Sequence, residues 1–281
     1  MNVKIVLDST ADVIPSVREK CAVVPLTIHF GNEEYVDGVT ISHREFYEKL
    51  IESDVLPSTS QATPAAFGDI FEQVVSRGET AVVLTLASQL SGTYQSAMIA
   101  ASDYPGSIYV VDGTNVAIGT GILAELALRL RDQGLSAEEI AQRLEAEKGN
   151  IRIVALLDTL EYLKRGGRIS ATVAFAGGLL SIKPVIAVKD GEIQMLGKAR
   201  GSKQGNNLLV QQIEQAGGVD FEKPLLLGFT GLSDVLLTKY IEDSRALWEN
   251  GTENLPITSI GSVVGTHAGP GAIAVAFFRK S

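Results

Sequence analysis

Short apolar runs alternate along this chain with segments of helical periodicity. Val3–Leu7, Ala81–Ala87, Ile108–Val111 and Ile151–Leu157 are compact runs dominated by Val, Ile, Leu and Ala. Such runs suit strands buried on both faces. Val23–Phe30 reads as another strand, turned back by Gly31-Asn32 toward Glu34–Val36. Between the runs, Phe67, Ile70, Phe71, Val74 and Val75 share one face of a helix that Thr63 caps, Pro64 begins and Gly78 ends. Ser42 with Glu45, and Ser136 with Glu139, are S-x-x-E capping boxes that open two more helices. Pro15 opens a short one, and Gly134 divides residues 116–148 into two. Strands alternating with amphipathic helices predict an α/β lobe on a parallel sheet, with ligands expected beyond the carboxyl ends of the strands.

The second half has a different rhythm. Pro184–Val188 and Glu192–Leu196 flank Lys189-Asp190-Gly191, and Asp-Gly between two apolar runs signals a hairpin. Gln204–Gln215 and Asp234–Trp248 read as helices on either side of a strand at Pro224–Thr230. Ile257–Val264 and Ala272–Phe278 read as strands joined by a glycine-rich turn, and Gly177-Gly178 interrupts a further apolar stretch. A hairpin beside crossover units predicts a mixed sheet. The expected fold is therefore two-lobed α/β. A parallel-sheet lobe covers 1–150, a mixed-sheet lobe covers 151–281, and a cleft lies between them.

The totals narrow the function classes. A chain of 281 residues can bury a substantial core. Its net charge of −9 argues against nucleic-acid binding and against a polybasic membrane anchor. The single cysteine, Cys21, excludes an internal disulfide and a cysteine metal cluster. The opening MNVKIVLDSTAD lacks a signal-peptide core, and no apolar run is long enough to span a bilayer. These features predict a cytoplasmic protein with no stable membrane insertion.

Candidate chemistry lies in the turns. Ala81–Ala87 feeds Ser88-Gln89-Leu90-Ser91-Gly92-Thr93, and a small-residue helix follows. That arrangement leaves backbone N–H groups, hydroxyls and a helix dipole converging on one place, either as a helix cap or as a site for an anion. Ser9 and Thr10 decorate the end of the first strand in the same way. Thr59-Ser60-Gln61 reads as a polar loop whose hydroxyls can donate to a carboxylate or phosphate oxygen. Lys164, Arg165 and Arg168 surround Gly166-Gly167 as a solvated helix end or an anion or partner contact. His29, His43 and His267 are too scattered for a metal site, and no metal is expected. His29 and His43 read as solvated or structural, whereas His267 lies in the glycine-rich turn, placed to meet a ligand. Gly269-Pro270-Gly271-Ala272-Ile273-Ala274 matches G-x-G-x-x-A, but no βαβ unit can follow it so near the end, and Pro270 has no N–H for a pyrophosphate. No phosphate-binding loop is present.

In order, LDSTAD at 7–12, TSQ at 59–61, LSGTYQSA at 90–97, LEYLKRGGRIS at 160–170, KPVIAVKDGEI at 183–193 and THAGPGA at 266–272 resemble the DegV family of bacterial fatty-acid-binding proteins. The resemblance runs from about residue 3 to 279. Ala268 departs from it, standing where Thr or Ser more often follows the histidine, and removes one hydroxyl. The resemblance implies a non-catalytic carrier that holds one long-chain fatty acid between the lobes and needs no other cofactor. It implies a carboxylate gripped by Thr59 and by Ser91 at the Ser91-Gly92 turn, with His267 close by. Ser60, Ser9, Arg165 and Arg168 are further candidates for ligand or partner contact. The implied partner is a separate kinase protein related to dihydroxyacetone kinases, which phosphorylates the carboxylate that the carrier presents. The competing expectation is a serine hydrolase with Ser91 as nucleophile and His267 as base, although Gln89 occupies the first glycine position of G-x-S-x-G.

Overall fold

The computed structural model describes residues 2–169, 182–249, 251–252 and 254–280. Gly177-Gly178 lies outside the described residues. Thirteen strands form three sheets among those described. β1 (Val3–Asp8), β2 (Cys21–Val24), β6 (Thr80–Thr85) and β7 (Ile108–Asp112) make an all-parallel sheet in the order β2-β1-β6-β7. β3 (Thr27–Phe30), β4 (Glu33–Val36) and β5 (Ser58–Ser60) form a small antiparallel sheet. The mixed sheet runs β10-β9-β8-β13-β11-β12, from β8 (Ile151–Leu156), β9 (Ile182–Lys189), β10 (Glu192–Arg200), β11 (Leu225–Phe229), β12 (Ile257–Ser259) and β13 (Ile273–Phe278). Its pairings are antiparallel except β11 with β12.

Strand alternation sorts the core. In the parallel sheet, Ile5, Leu7, Val82 and Leu84 face one layer, while Val6, Ala81 and Val83 face the other. The second layer contains Phe67, Phe71 and Val74 of the helix Pro64–Ser76, the stripe expected from its periodicity. In the mixed sheet, Val154, Leu156, Ile273, Val275 and Phe277 pack with Leu209, Ile213, Leu237, Tyr240 and Trp248. The opposite face packs with the helix Ile118–Asp132, whose buried side chains also reach Ile5 and Leu7. That helix therefore lies between the two large sheets.

Both capping boxes form, with Ser42 and Ser136 hydroxyls accepting from the backbone three residues on. The hairpin turn places Asp190 at φ 52° and Gly191 at φ 81°, the pair of positive angles that a two-residue turn needs.

Four expectations need correction. Val23–Phe30 is two strands, because Pro25 has no N–H for a ladder and the Leu26 N–H donates to Ser9 Oγ at 3.1 Å. β2 stays in the parallel sheet and β3 leaves it. The Thr59 loop is a strand, since Ile28 of β3 pairs with Thr59. Ile257–Val264 is a strand only to Ser259, and Ser262–Ala268 is a helix, so His267 occupies a last helical turn rather than a loop. An apolar run of that length does not distinguish a buried helix from a strand. Asp234–Trp248 divides at Ser244 into the helices Val235–Asp243 and Arg245–Trp248.

Candidate ligand-binding site

In the parallel sheet, connections leave β1 toward β2 on one side and leave β6 toward β7 on the other. The crevice beyond Asp8 and Thr85 is therefore a topological switch point, where open α/β sheets bind ligands. A cavity of about 370 Å³ lies there, roofed by Thr10, Leu86, Leu90, Ser91, Gly92, Val116 and Ala117 and floored by the mixed sheet. A row of small residues contributes to the floor. Ala155 of β8 pairs with Ala274 of β13, and both line the cavity; beyond its lining the row continues into Gly228 of β11. A Cβ at Gly228 would press on Ile260 and Ile118. Larger side chains, Ile153, Ile186, Val188 and Ile193, close the apolar walls around that row.

Polar groups gather along one part of the lining. Thr59 Oγ1 lies 3.0 Å from His267 Nε2, across 208 residues of sequence. Ser91 Oγ lies 3.0 Å from Thr93 Oγ1 and accepts from Thr93 N at 3.3 Å. Gln61 donates through Nε2 to Ser96 Oγ at 2.9 Å, and its amide occupies the space that a side chain at residue 92 would need. Gly92, the N-cap of Thr93–Ala101, is thus required by a close approach. Arg168 borders the cavity while donating to Leu90 O at 3.2 Å and to Gly166 O at 2.6 Å.

The candidates divide by placement. Thr59, Ser60, Ser91, Gly92, Arg168 and His267 border the cavity. The Ser60 hydroxyl, however, is 2.8 Å from His29 Nε2, on the face of the small sheet opposite Thr59. Ser9 is buried and supports Leu26, and Arg165 is an exposed partner of Glu161 at 2.6 Å. The sequence alone does not single out Gln61 or Gly166 as ligand-site residues, Gly166 being only one of the glycine pair between the basic residues. Gly166 is where the helix Glu161–Arg165 passes His267, and a Cβ there would collide with Nδ1. The TSQ block offered a signal for Gln61, whereas nothing local reveals what Gly166 faces.

Burial, with Arg168 nearby, lowers the His267 imidazole to about 4, so it is neutral near pH 7. Its Nδ1 is buried without a partner among the described residues. Burial also raises the Asp8 carboxyl to about 6, against the opposing hydrogen bonds from Thr10 and Leu86. The cavity thus offers hydroxyls, a neutral imidazole and a guanidinium to a ligand with one polar end and an apolar body.

Among the described residues, His267 bonds to Thr59 rather than to Ser91, and no hydrogen bond joins an acid to its ring. A depressed imidazole without an orienting carboxylate is a poor general base. No group of three metal-ligating side chains occurs among the described residues, and none of their helices is long and apolar enough to cross a membrane.

Comparison with known proteins places these features in context. A family model described as "Uncharacterised protein, DegV family" matches residues 2–280. A DegV domain-containing protein of Caldanaerobacter subterraneus subsp. tengcongensis is 34% identical over 283 residues, covering 99% of each chain. Among solved structures, a fatty-acid-binding DegV family protein from Thermus thermophilus is 29% identical, with a TM-score of 0.87 over 99% of this chain and 100% of its own. A stearic-acid-binding protein from Eubacterium ventriosum is 28% identical, with a TM-score of 0.88 over 99% of this chain and 98% of its own.

Proposed function

This chain belongs to the DegV family, and we propose that it carries one long-chain fatty acid, held with its tail against the mixed sheet and its carboxylate at Thr59, Ser91, Gly92 and His267. The observation that carries this reading is the cavity itself: an apolar chamber whose polar groups cluster at Thr59, His267 and the Ser91 turn. Hydroxyls and backbone N–H groups can hold a carboxylate without burying a permanent countercharge, which would be costly to desolvate. Each buried methylene is worth about 0.8 kcal/mol, so a sixteen-carbon tail gains on the order of 10 kcal/mol before ordering costs. Tail burial sets affinity, and the polar cluster sets orientation.

In this reading the chain is a cytoplasmic carrier that performs no chemistry of its own and needs no cofactor besides its lipid. A separate kinase protein related to dihydroxyacetone kinases phosphorylates the presented carboxylate, with Arg165 and Arg168 on the side that meets it. Mass spectrometry of the purified protein, native and after organic extraction, is expected to give one fatty acid per chain. Protein that is empty and takes up no added fatty acid refutes the carrier role. Ser91→Ala and Thr59→Ala are each expected to lower fatty acid affinity and acyl-phosphate formation with the kinase present. Unchanged values in both refute the site.

A further inference from the structure

His267 can reach Thr59 only if the short helix Ser262–Ala268 is held at the right height against the small antiparallel sheet that carries Thr59, and the N-terminal half supplies three contacts that do this. Asp12 Oδ1 accepts from Gly261 N at 2.8 Å, across 249 residues. Tyr47 OH donates to Ile260 O at 2.9 Å, and His43 Nδ1 lies 3.1 Å from Ser259 Oγ. All three partners are the residues that lead into the helix. Asp12 and Tyr47 are 4% and 1% exposed, so their hydrogen bonds have no competition from bulk water. Two glycines make the approach close. A Cβ at Gly261 would press on His43 and Asp12, and one at Gly265 would collide with the Tyr47 ring.

We propose that Asp12, His43 and Tyr47 are positioning residues for His267, acting through the Ser259–Ser262 segment to set the imidazole against Thr59. The inference rests on the reading of Thr59 and His267 as the carboxylate end of the site. Gly261 and His267 are six residues apart, about 9 Å along a helix. That distance is spanned by backbone bonds from Gly265 N to Gly261 O at 2.8 Å and Gly269 N to Gly265 O at 2.9 Å, so a displacement at Gly261 moves the whole helix. A hydrogen bond of 3.0 Å does not survive a movement of more than about 0.5 Å.

The test compares palmitate with hexadecane, delivered from cyclodextrin, as ligands with the same tail and different heads. Tyr47→Phe deletes one hydroxyl from a buried ring and keeps its packing. Asp12→Ala deletes the acceptor, and Asp12→Asn restores an acceptor oxygen. The expected result is an about tenfold loss of palmitate affinity in Tyr47→Phe and Asp12→Ala, with hexadecane affinity unchanged and Asp12→Asn recovering most of the loss. The His267 ring signals in nitrogen-proton NMR are expected to shift in the same two variants. Equal weakening of both ligands, or unchanged palmitate affinity where His267→Ala loses it, overturns the inference. If His267→Ala itself keeps the palmitate preference, the binding reading of the site fails. The ring signals then decide positioning alone, and unshifted signals in Tyr47→Phe overturn it.

Discussion

A single methyl group added at Gly166 separates the polar cluster from the rest of the fold. Gly166 has φ −70° and ψ −10°, angles that alanine adopts freely, so the backbone has no objection to the change. Alanine there reduces the freedom of the unfolded chain and stabilises by about 0.4–1 kcal/mol where it fits. The added carbon, however, would lie 2.8 Å from His267 Cε1 and nearer still to Nδ1. Comfortable contact begins at about 3.5 Å, so the ring must retreat by roughly 0.7 Å or more. The Thr59–His267 distance of 3.0 Å tolerates that movement in neither direction. Toward Thr59 the pair falls below the roughly 2.7 Å floor of a hydrogen bond, and away from it the pair passes the roughly 3.5 Å limit. A hydrogen bond to a charged group is worth about 1.5–3 kcal/mol, which corresponds to an affinity loss of about 10- to 150-fold for a carboxylate ligand. Calorimetric titration of Gly166→Ala with palmitate and hexadecane is the assay, alongside thermal unfolding. The expected outcome is weaker palmitate binding, unchanged hexadecane binding and a midpoint somewhat below that of the parent, because displacing the buried ring costs more than the alanine gains. Parental palmitate affinity would refute the placement of the imidazole at the carboxylate.

Other outcomes follow from the same geometry. Ala274→Leu puts three more carbons into the row of small residues on the cavity floor, so the preferred acyl chain should shorten by about three methylenes, each worth about 0.8 kcal/mol. A chain-length series with an unmoved optimum would remove Ala274 from the tail path. In lipid-free protein, the imidazole of His267, ordinarily near 6.5 and held at about 4, binds its proton more readily unfolded than folded. Its contribution to stability is present above pH 6.5 and is lost as pH falls through 4, on the order of 3 kcal/mol in full. Asp8, raised from 3.8 to about 6, acts oppositely, its contribution being present below 3.8 and lost as pH rises through 6. His267→Gln should therefore lose less stability than the parent between pH 7 and 4.5 in denaturant titrations, and equal losses would contradict the buried neutral ring. Gly191→Ala strains a residue at φ 81° that also faces Gln89 at 3.1 Å, so it should lower stability by about 1 kcal/mol or more in the same titrations.

Much of the architecture was legible in local signals. Each capping box, the Thr63-Pro64 helix start and the Asp190-Gly191 turn depends on side chains within a few residues of one another, and each forms as its pattern requires. The buried strands of the parallel sheet announced themselves by unbroken apolar runs, because helices cover both faces. Reading failed where the deciding partner is distant. Thr59 is in a strand because Ile28 pairs with it, and Leu26 leaves the first sheet because Ser9 takes its N–H. Ser262–Ala268 is a helix held by Asp12 and Tyr47, more than two hundred residues earlier.

The sequence by itself determined the fold class, the hydroxyl-bearing turns and the family, since all three reside in short ordered blocks of residues. Tertiary structure decided which of those turns share a cavity. It set Thr59 against His267, turned Ser60 toward His29, brought Gln61 over Gly92 and set Ala155 beside Ala274 in the cavity floor. Periodicity specifies which face of an element is buried. What lies across that face depends on how two sheets and the helix between them pack, and no local pattern encodes it.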